Sequence, residues 1–173
     1  WIMLKVVNFS TFISILQYSK TEVTHSVCKL YNMFDKNGLP NVKLLIGSLH
    51  WMRKVRNACA HNERIYCLSR SKDGRQRSGR ILEGYFQKLR QSYQNDHEQK
   101  IFDLIVYFEY YLPQKEYKIF IEEIYTMLSV LEQGIHPNAF ANIRGKIGIR
   151  NLDDLQILEA LSKPDINYNS FDK

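Results

Sequence analysis

Residues 51–66 read WMRKVRNACAHNERIY. The stretch holds neither proline nor glycine, so nothing in it breaks a helix. Arg56 and His61 lie five residues apart, with Asn57 directly after the arginine and the small residues Ala58, Cys59 and Ala60 between. Working outward, the spacing predicts one long helix from about Pro40 to Tyr66. Pro40 suits its first turn, and Leu45, Leu49, Met52, Val55 and Cys59 supply a buried stripe. At 1.5 Å rise per residue such a rod spans roughly 40 Å.

Helical periodicity extends over most of the chain. Residues 1–18 place Ile2, Val6, Phe9, Ile13 and Leu16 at three- and four-residue spacing, the pattern of an amphipathic helix. Residues 22–34 repeat it with Val23, Val27, Leu30, Tyr31 and Phe34. Asp35-Lys36-Asn37-Gly38 then supplies turn chemistry. Residues 67–80 read as a basic loop. Helices are expected at 81–94 and at 97–112, the second with Asp96 and Gln99 as a capping pair. Pro113 stops that helix, and others are expected at 114–132, 138–144 and 153–162, with Gly134, His136 and Pro137 as breakers. No run has strand period, so the fold class is all-α. A single helical domain over residues 1–163 is expected, with a frayed tail at 164–173.

The 173 residues are enough for a domain with a real core. No stretch offers the roughly 18 uninterrupted apolar residues that a membrane span needs; Ile101–Leu112 comes nearest, interrupted by Asp103 and Glu109. Cys28, Cys59 and Cys67 form no CxxC pair, which argues for reduced thiols in a cytoplasmic protein and against a zinc site. No cofactor and no metal is expected. The chain begins with Trp1 inside an apolar periodic run, and we expect more sequence before it. Charge is unevenly spread. The total is +6, but residues 50–90 hold eleven Lys/Arg against Glu63, Asp73 and Glu83, leaving the remainder slightly acidic. A basic segment of this kind attracts polyanions, although a solvated basic face has the same composition.

The Arg56–His61 segment carries the chemistry. A histidine exchanges a proton near pH 7, and a guanidinium grips phosphate through a planar fork. Cleaving RNA without a metal needs a base for the ribose 2′-OH, a cation for the charge that builds on the phosphate, and an acid for the departing 5′ oxygen. At 100° per residue His61 sits ~140° round the helix from Arg56, a gap that a curled arginine can close. Asn57 lies one turn before His61 on its face. Arg53 and Arg64 extend this line into a polar stripe, Arg53–Asn57–His61–Arg64. One copy supplies part of the machinery, and two copies about a two-fold axis supply all of it. A structural polar cluster at a helix interface is the alternative. Arg90 and His97 show a similar spacing, but Asn95-Asp96 marks a helix boundary between them. Arg53, Lys54, Arg64, Arg70, Lys72, Arg75, Arg77 and Arg80 are candidate RNA contacts. Tyr66 can stack on a base or pack in the core. His25, His50, His97 and His136 have no evident partners, and Tyr107, Tyr110 and Tyr111 read as helix packing.

WMRKVRNACAHNERIY closely resembles the signature helix of the abortive-infection Abi_2 group (AbiD- and AbiF-like proteins), in the HEPN superfamily of helical ribonucleases. Residues 1–16, WIMLKVVNFSTFISIL, are similar to the aromatic-rich helix that precedes it in the family. Residues 141–158, with GKIGIRNLDDLQIL, are similar to its C-terminal ending, with Gly148-Ile149-Arg150 where the family usually has Gly-Phe-Pro. The resemblance implies a HEPN-like helical bundle with extra C-terminal helices that pairs as a homodimer through the 40–66 helix. It implies metal-independent endoribonuclease activity that leaves a 2′,3′-cyclic phosphate and a 5′-OH, in an anti-phage, toxin-like role. It assigns phosphate binding to Arg56, general acid–base work to His61 and orientation to Asn57. Where the family often has a second histidine, this chain has Asn62. The expected partners are an RNA substrate, a second copy and a neutralising protein or RNA; no membrane is expected. A non-catalytic RNA-binding or regulatory module is the alternative function.

Overall fold

The computed structural model describes residues 8–35, 37–69 and 100–161. The expected helix at 81–94, the basic loop residues Arg70–Arg80, the Arg90–His97 pair, the Asp96–Gln99 cap, the first seven residues and the tail lie outside the described residues. Seven α-helices are described: α1 Phe9–Tyr18, α2 Thr21–Leu30, α3 Val42–Ala60, α4 Ile101–Tyr111, α5 Gln114–Gly134, α6 Pro137–Ile147 and α7 Asp153–Leu161. A 3-10 turn spans Ile65–Cys67, and the β geometry among the described residues is one isolated bridge between Phe34 and Pro40. The class is all-α, as expected. The chain divides into two compact units, Trp1–Glu63 and Arg64–Lys173.

In the first unit, α1 does not continue the pattern unbroken from residue 1. Asn8 is extended, and its Oδ1 accepts the Thr11 N–H at 2.8 Å. This N-cap starts the helix at Phe9. α1 buries Ile13 and Leu16. α2 buries Thr24 and Cys28, one position beyond the expected Val23 and Val27, and Val23 is exposed. The Thr24 hydroxyl can be buried because it donates to the Thr21 carbonyl at 3.0 Å. Burial also pushes the Cys28 thiol above its ordinary pKa. α2 ends at Leu30, and Asn32 then takes a left-handed conformation (φ 57°). Phe34, expected in the helix, lies beyond it. The Asp35–Gly38 turn forms as its residues predict: Asp35 Oδ1 accepts the N–H groups of Asn37 and Leu39, and Gly38 supplies φ 76°.

α1 and α2 both pack on α3. α3 starts at Val42 rather than Pro40, because Asn41 Oδ1 accepts the Leu44 N–H at 3.0 Å and Pro40 is held in the bridge with Phe34. Its first half is buried on every side from Leu44 to Leu49, and the buried line then narrows to Trp51, Val55 and Ala58. Leu45, Leu49 and Val55 are buried as expected, whereas Met52 is only half-buried and Cys59 is exposed, and their neighbours Trp51 and Ala58 are buried in their place.

The rod is also shorter than expected. Nineteen residues are helical, roughly 28 Å. Asn62 adopts φ 55°; its N–H bonds to the Cys59 carbonyl (3.3 Å), and the Glu63 N–H to the Ala58 carbonyl (2.9 Å). These paired backward bonds are a Schellman ending with asparagine in the left-handed position that glycine usually takes. The helix therefore stops at Ala60, and the expected continuation to Tyr66 does not form.

In the second unit, α4 begins at Ile101, not at 97. The Lys100 N–H donates to Asp103 Oδ2 at 2.7 Å, the reciprocal half of a capping box. Tyr107 and Tyr110 are buried packing residues, as expected. α5 packs on both α4 and α7, and Phe108 meets Phe120 edge-on at 5.4 Å between centroids. The Tyr117 hydroxyl is buried with no hydrogen-bond partner among the described residues. Desolvation, reinforced by the negative Glu109, pushes its ionisation well above the ordinary tyrosine range. Pro137 occupies the first turn of α6 and does not merely break the chain. His136, for which the sequence offers no partner, caps that helix: its Nδ1 accepts the Asn138 N–H at 3.3 Å. Gly148 ends α6 at φ 95°, where an added Cβ would meet Lys100 Cβ at 3.0 Å. Ile149, beside it, is buried.

Candidate functional site

The last two turns of α3 and the cap behind them hold the candidate residues. Ala58 faces the core there, while Arg56, Asn57, Cys59, Ala60 and His61 are exposed. His61 is the C-cap residue, with φ −102° and ψ 12°, not an interior helical residue. Its N–H nevertheless still bonds to the Asn57 carbonyl at 3.1 Å. That i to i−4 bond keeps the His61 Cα on the helix cylinder, so the side chain leaves on the same face as Asn57, one turn above it. Arg56 Nη1 donates to Asn57 Oδ1 at 3.2 Å. The arginine thus curls toward the Asn57 line, and the guanidinium, the amide and the imidazole share one exposed end of the helix.

Chemically the three are complementary. The guanidinium offers several donors to an oxyanion. The Asn57 carbonyl takes one of them and restrains the fork. The imidazole can give or take a proton.

A family model described as Abi-like protein matches residues 1–67. It covers α1, α2, α3 and the 3-10 turn, and it ends before the stretch 141–158 that resembles the family's C-terminal ending. Neither a curated protein nor a solved structure matches the chain.

Not every candidate within residues 1–67 joins the Arg56–Asn57–His61 end. Arg53 keeps its place one turn before Asn57 but is half-buried. Lys54 is exposed, and its Nζ sits 5.5 Å above the ring of Trp51, which is fully buried. Arg64 departs from the expected stripe: it lies beyond the helix in extended backbone, at the start of the 3-10 turn. Tyr66, inside that turn, is half-buried, with Lys146 Nζ 5.9 Å over its ring. Arg70, Lys72, Arg75, Arg77 and Arg80 lie outside the described residues. Among the described residues no group of three or more His, Cys, Asp or Glu side chains is placed to hold a metal ion, and no helix is long and apolar enough to cross a membrane.

Arg144 and Lys146, outside the expected contacts, lie in a run without carboxylates: from Gln133 to Leu152 the chain carries Arg144, Lys146 and Arg150 but no Asp or Glu.

Proposed function

We propose that this protein is a metal-independent endoribonuclease of abortive infection, with Arg56, Asn57 and His61 as its reacting end. The observation that supports this most directly is the 3.2 Å contact from Arg56 to Asn57, one turn before His61, whose N–H bonds to the Asn57 backbone carbonyl at 3.1 Å. In the proposed reaction an imidazole removes the proton from a ribose 2′-OH, and the oxygen attacks the adjacent phosphorus. Arg56 stabilises the charge that builds on the phosphoryl oxygens. A second imidazole protonates the departing 5′ oxygen. The products are a 2′,3′-cyclic phosphate and a 5′-OH. One copy offers one such histidine, so the complete site is a homodimer in which two α3 helices, Val42–Ala60, meet about a two-fold axis.

Arg53, Lys54 and Arg64, with Arg70, Lys72, Arg75, Arg77 and Arg80, hold the RNA in this reading. The enzyme works in the cytoplasm, and a neutralising protein or RNA keeps it silent until infection. The purified chain is expected to cut single-stranded RNA in excess EDTA and to leave cyclic-phosphate ends. His61→Ala is expected to lower the rate by about 10²–10⁴. Equal cleavage by wild type and His61→Ala rejects the reading.

A further inference from the structure

Tyr66 follows His61 by five residues, inside the Abi-like match, yet the proposed chemistry makes no use of it. It sits in the 3-10 turn on which α6 packs, within the second unit. Lys146, in the last turn of α6, places its ammonium 5.9 Å above the Tyr66 ring. Arg144, also in the last turn of α6, lies over the Phe140 ring at 5.6 Å. Arg64 is exposed, two residues before Tyr66. Neither stretch that builds this place contains a carboxylate: residues 64–69 have none, and neither do residues 133–152. The helix macrodipole favours cations in the last turn of α6, but it explains neither the twenty-residue absence of acids nor the seating of Lys146 on an aromatic ring.

We propose that Tyr66, Arg64, Arg144 and Lys146 form a binding surface for single-stranded RNA, with Tyr66 stacking on a base and the three cations taking the flanking phosphates. The pairing of ring and cation selects this partner. Phosphates alone need only charge, and an acidic peptide has no use for a stacking ring. A nucleotide presents a flat base and an anion close together, as Tyr66 and Lys146 present a ring and an ammonium. Stacking is tolerant of base identity, so the surface grips RNA without reading sequence. Lys100 Nζ, which donates to the Gly145 carbonyl at 3.1 Å, ties this end of α6 to the start of α4. Gly148 allows the close approach there, so the cations project from a fixed base. The inference rests on the proposed function for the identity of the polyanion and is otherwise independent of it.

The test measures binding of a fluorescent oligouridine to the full chain carrying His61→Ala, so that cleavage does not interfere. Arg144→Glu with Lys146→Glu should weaken binding at least ~10-fold and reduce the salt dependence of log K by about two. Tyr66→Leu, which keeps apolar bulk, should weaken binding about tenfold with the salt dependence unchanged, and Tyr66→Trp should preserve it. Thermal melts of each variant separate lost binding from lost folding. Undiminished binding by the folded double variant overturns the surface, as does duplex RNA competing as well as single-stranded RNA. If the otherwise unaltered chain cuts RNA and the double variant binds and cuts equally well, the surface fails and the nuclease reading stands. If the variants bind as expected but the unaltered chain never cuts, the nuclease reading fails and the surface stands.

Discussion

From Leu44 to Leu49, at the start of α3, every residue is buried, whereas from Arg56 to His61, at its end, only Ala58 is. The two stretches belong to one helix and one covalent rod, yet they answer to different demands. The first is six residues of packing in which even Ser48 is enclosed, its hydroxyl donating to the Leu45 carbonyl at 2.9 Å. The second puts polar groups on display and separates them with Ala58, Cys59 and Ala60, which add little bulk. Stability and chemistry are thus laid end to end, and substitutions should separate them.

The largest expected effect is on the buried half. Leu45→Ala removes a fully enclosed side chain and should cost about 2–5 kcal/mol, seen as a large drop in Tm. His61→Ala, at the displayed end, should shift stability by no more than about 0.5 kcal/mol while lowering the cleavage rate by about 10²–10⁴. If His61→Ala melts as early as Leu45→Ala, the division between the halves is broken.

Asn57→Ala sharpens the comparison within the displayed end. It removes the acceptor that restrains Arg56, so the rate of RNA cleavage should fall about tenfold to a hundredfold with Tm unchanged. A smaller effect tests the stop behind the site. Asn62→Ala places an alanine at φ 55° and should cost about 1 kcal/mol, whereas Asn62→Gly should cost nothing measurable by chemical denaturation.

The smallest effect belongs to the packing side. Cys28, on α2, has a raised thiol pKa when folded, so the folded state holds its proton more tightly than the unfolded chain. Its contribution is fully present below the ordinary value of 9.0 and is lost as pH rises through the raised folded value. Stability measured against pH should therefore decline above about pH 9, and Cys28→Ala should flatten that decline. Tyr117 adds a similar loss above its ordinary value of 10.0, which Tyr117→Phe removes.

The all-α class and the order of the described helices were legible because hydrophobic period and proline placement are local signals. The ends of α3 were not. Pro40 looked like its first turn, but a side-chain bond from Asn41 set the start at Val42. No breaker stands between Ala60 and Tyr66, yet Asn62 in a left-handed conformation ended the rod. Both outcomes depend on side chain and backbone meeting in space, and asparagine carries no unambiguous sign of which it will do. Of the expected stripe, Leu45, Leu49 and Val55 are buried, and only Met52 and Cys59 depart from it, for a different reason. A helix buried all round has no preferred face, so Leu44–Leu49 hides the period that would have pointed to Trp51 instead of Met52.

At the candidate site, the exposure of Arg56, Asn57 and His61 agrees with their polar character, and their spacing placed Asn57 and His61 on one face. Arg64 was assigned to the same stripe only because the helix was expected to run on. Arg144 and Lys146 went unread because they are distant in sequence from Tyr66, and only folding brings α6 to the 3-10 turn.

Cys59 gives the displayed end a native reporter. Its thiol is exposed three positions after Arg56 and two before His61, while Cys28 is enclosed. With Cys67→Ser as the one alteration, a nitroxide attached at Cys59 becomes unique on the surface. Dipolar spectroscopy between two such labels then reads the separation of paired α3 helices in solution, and a chain that stays single gives no signal.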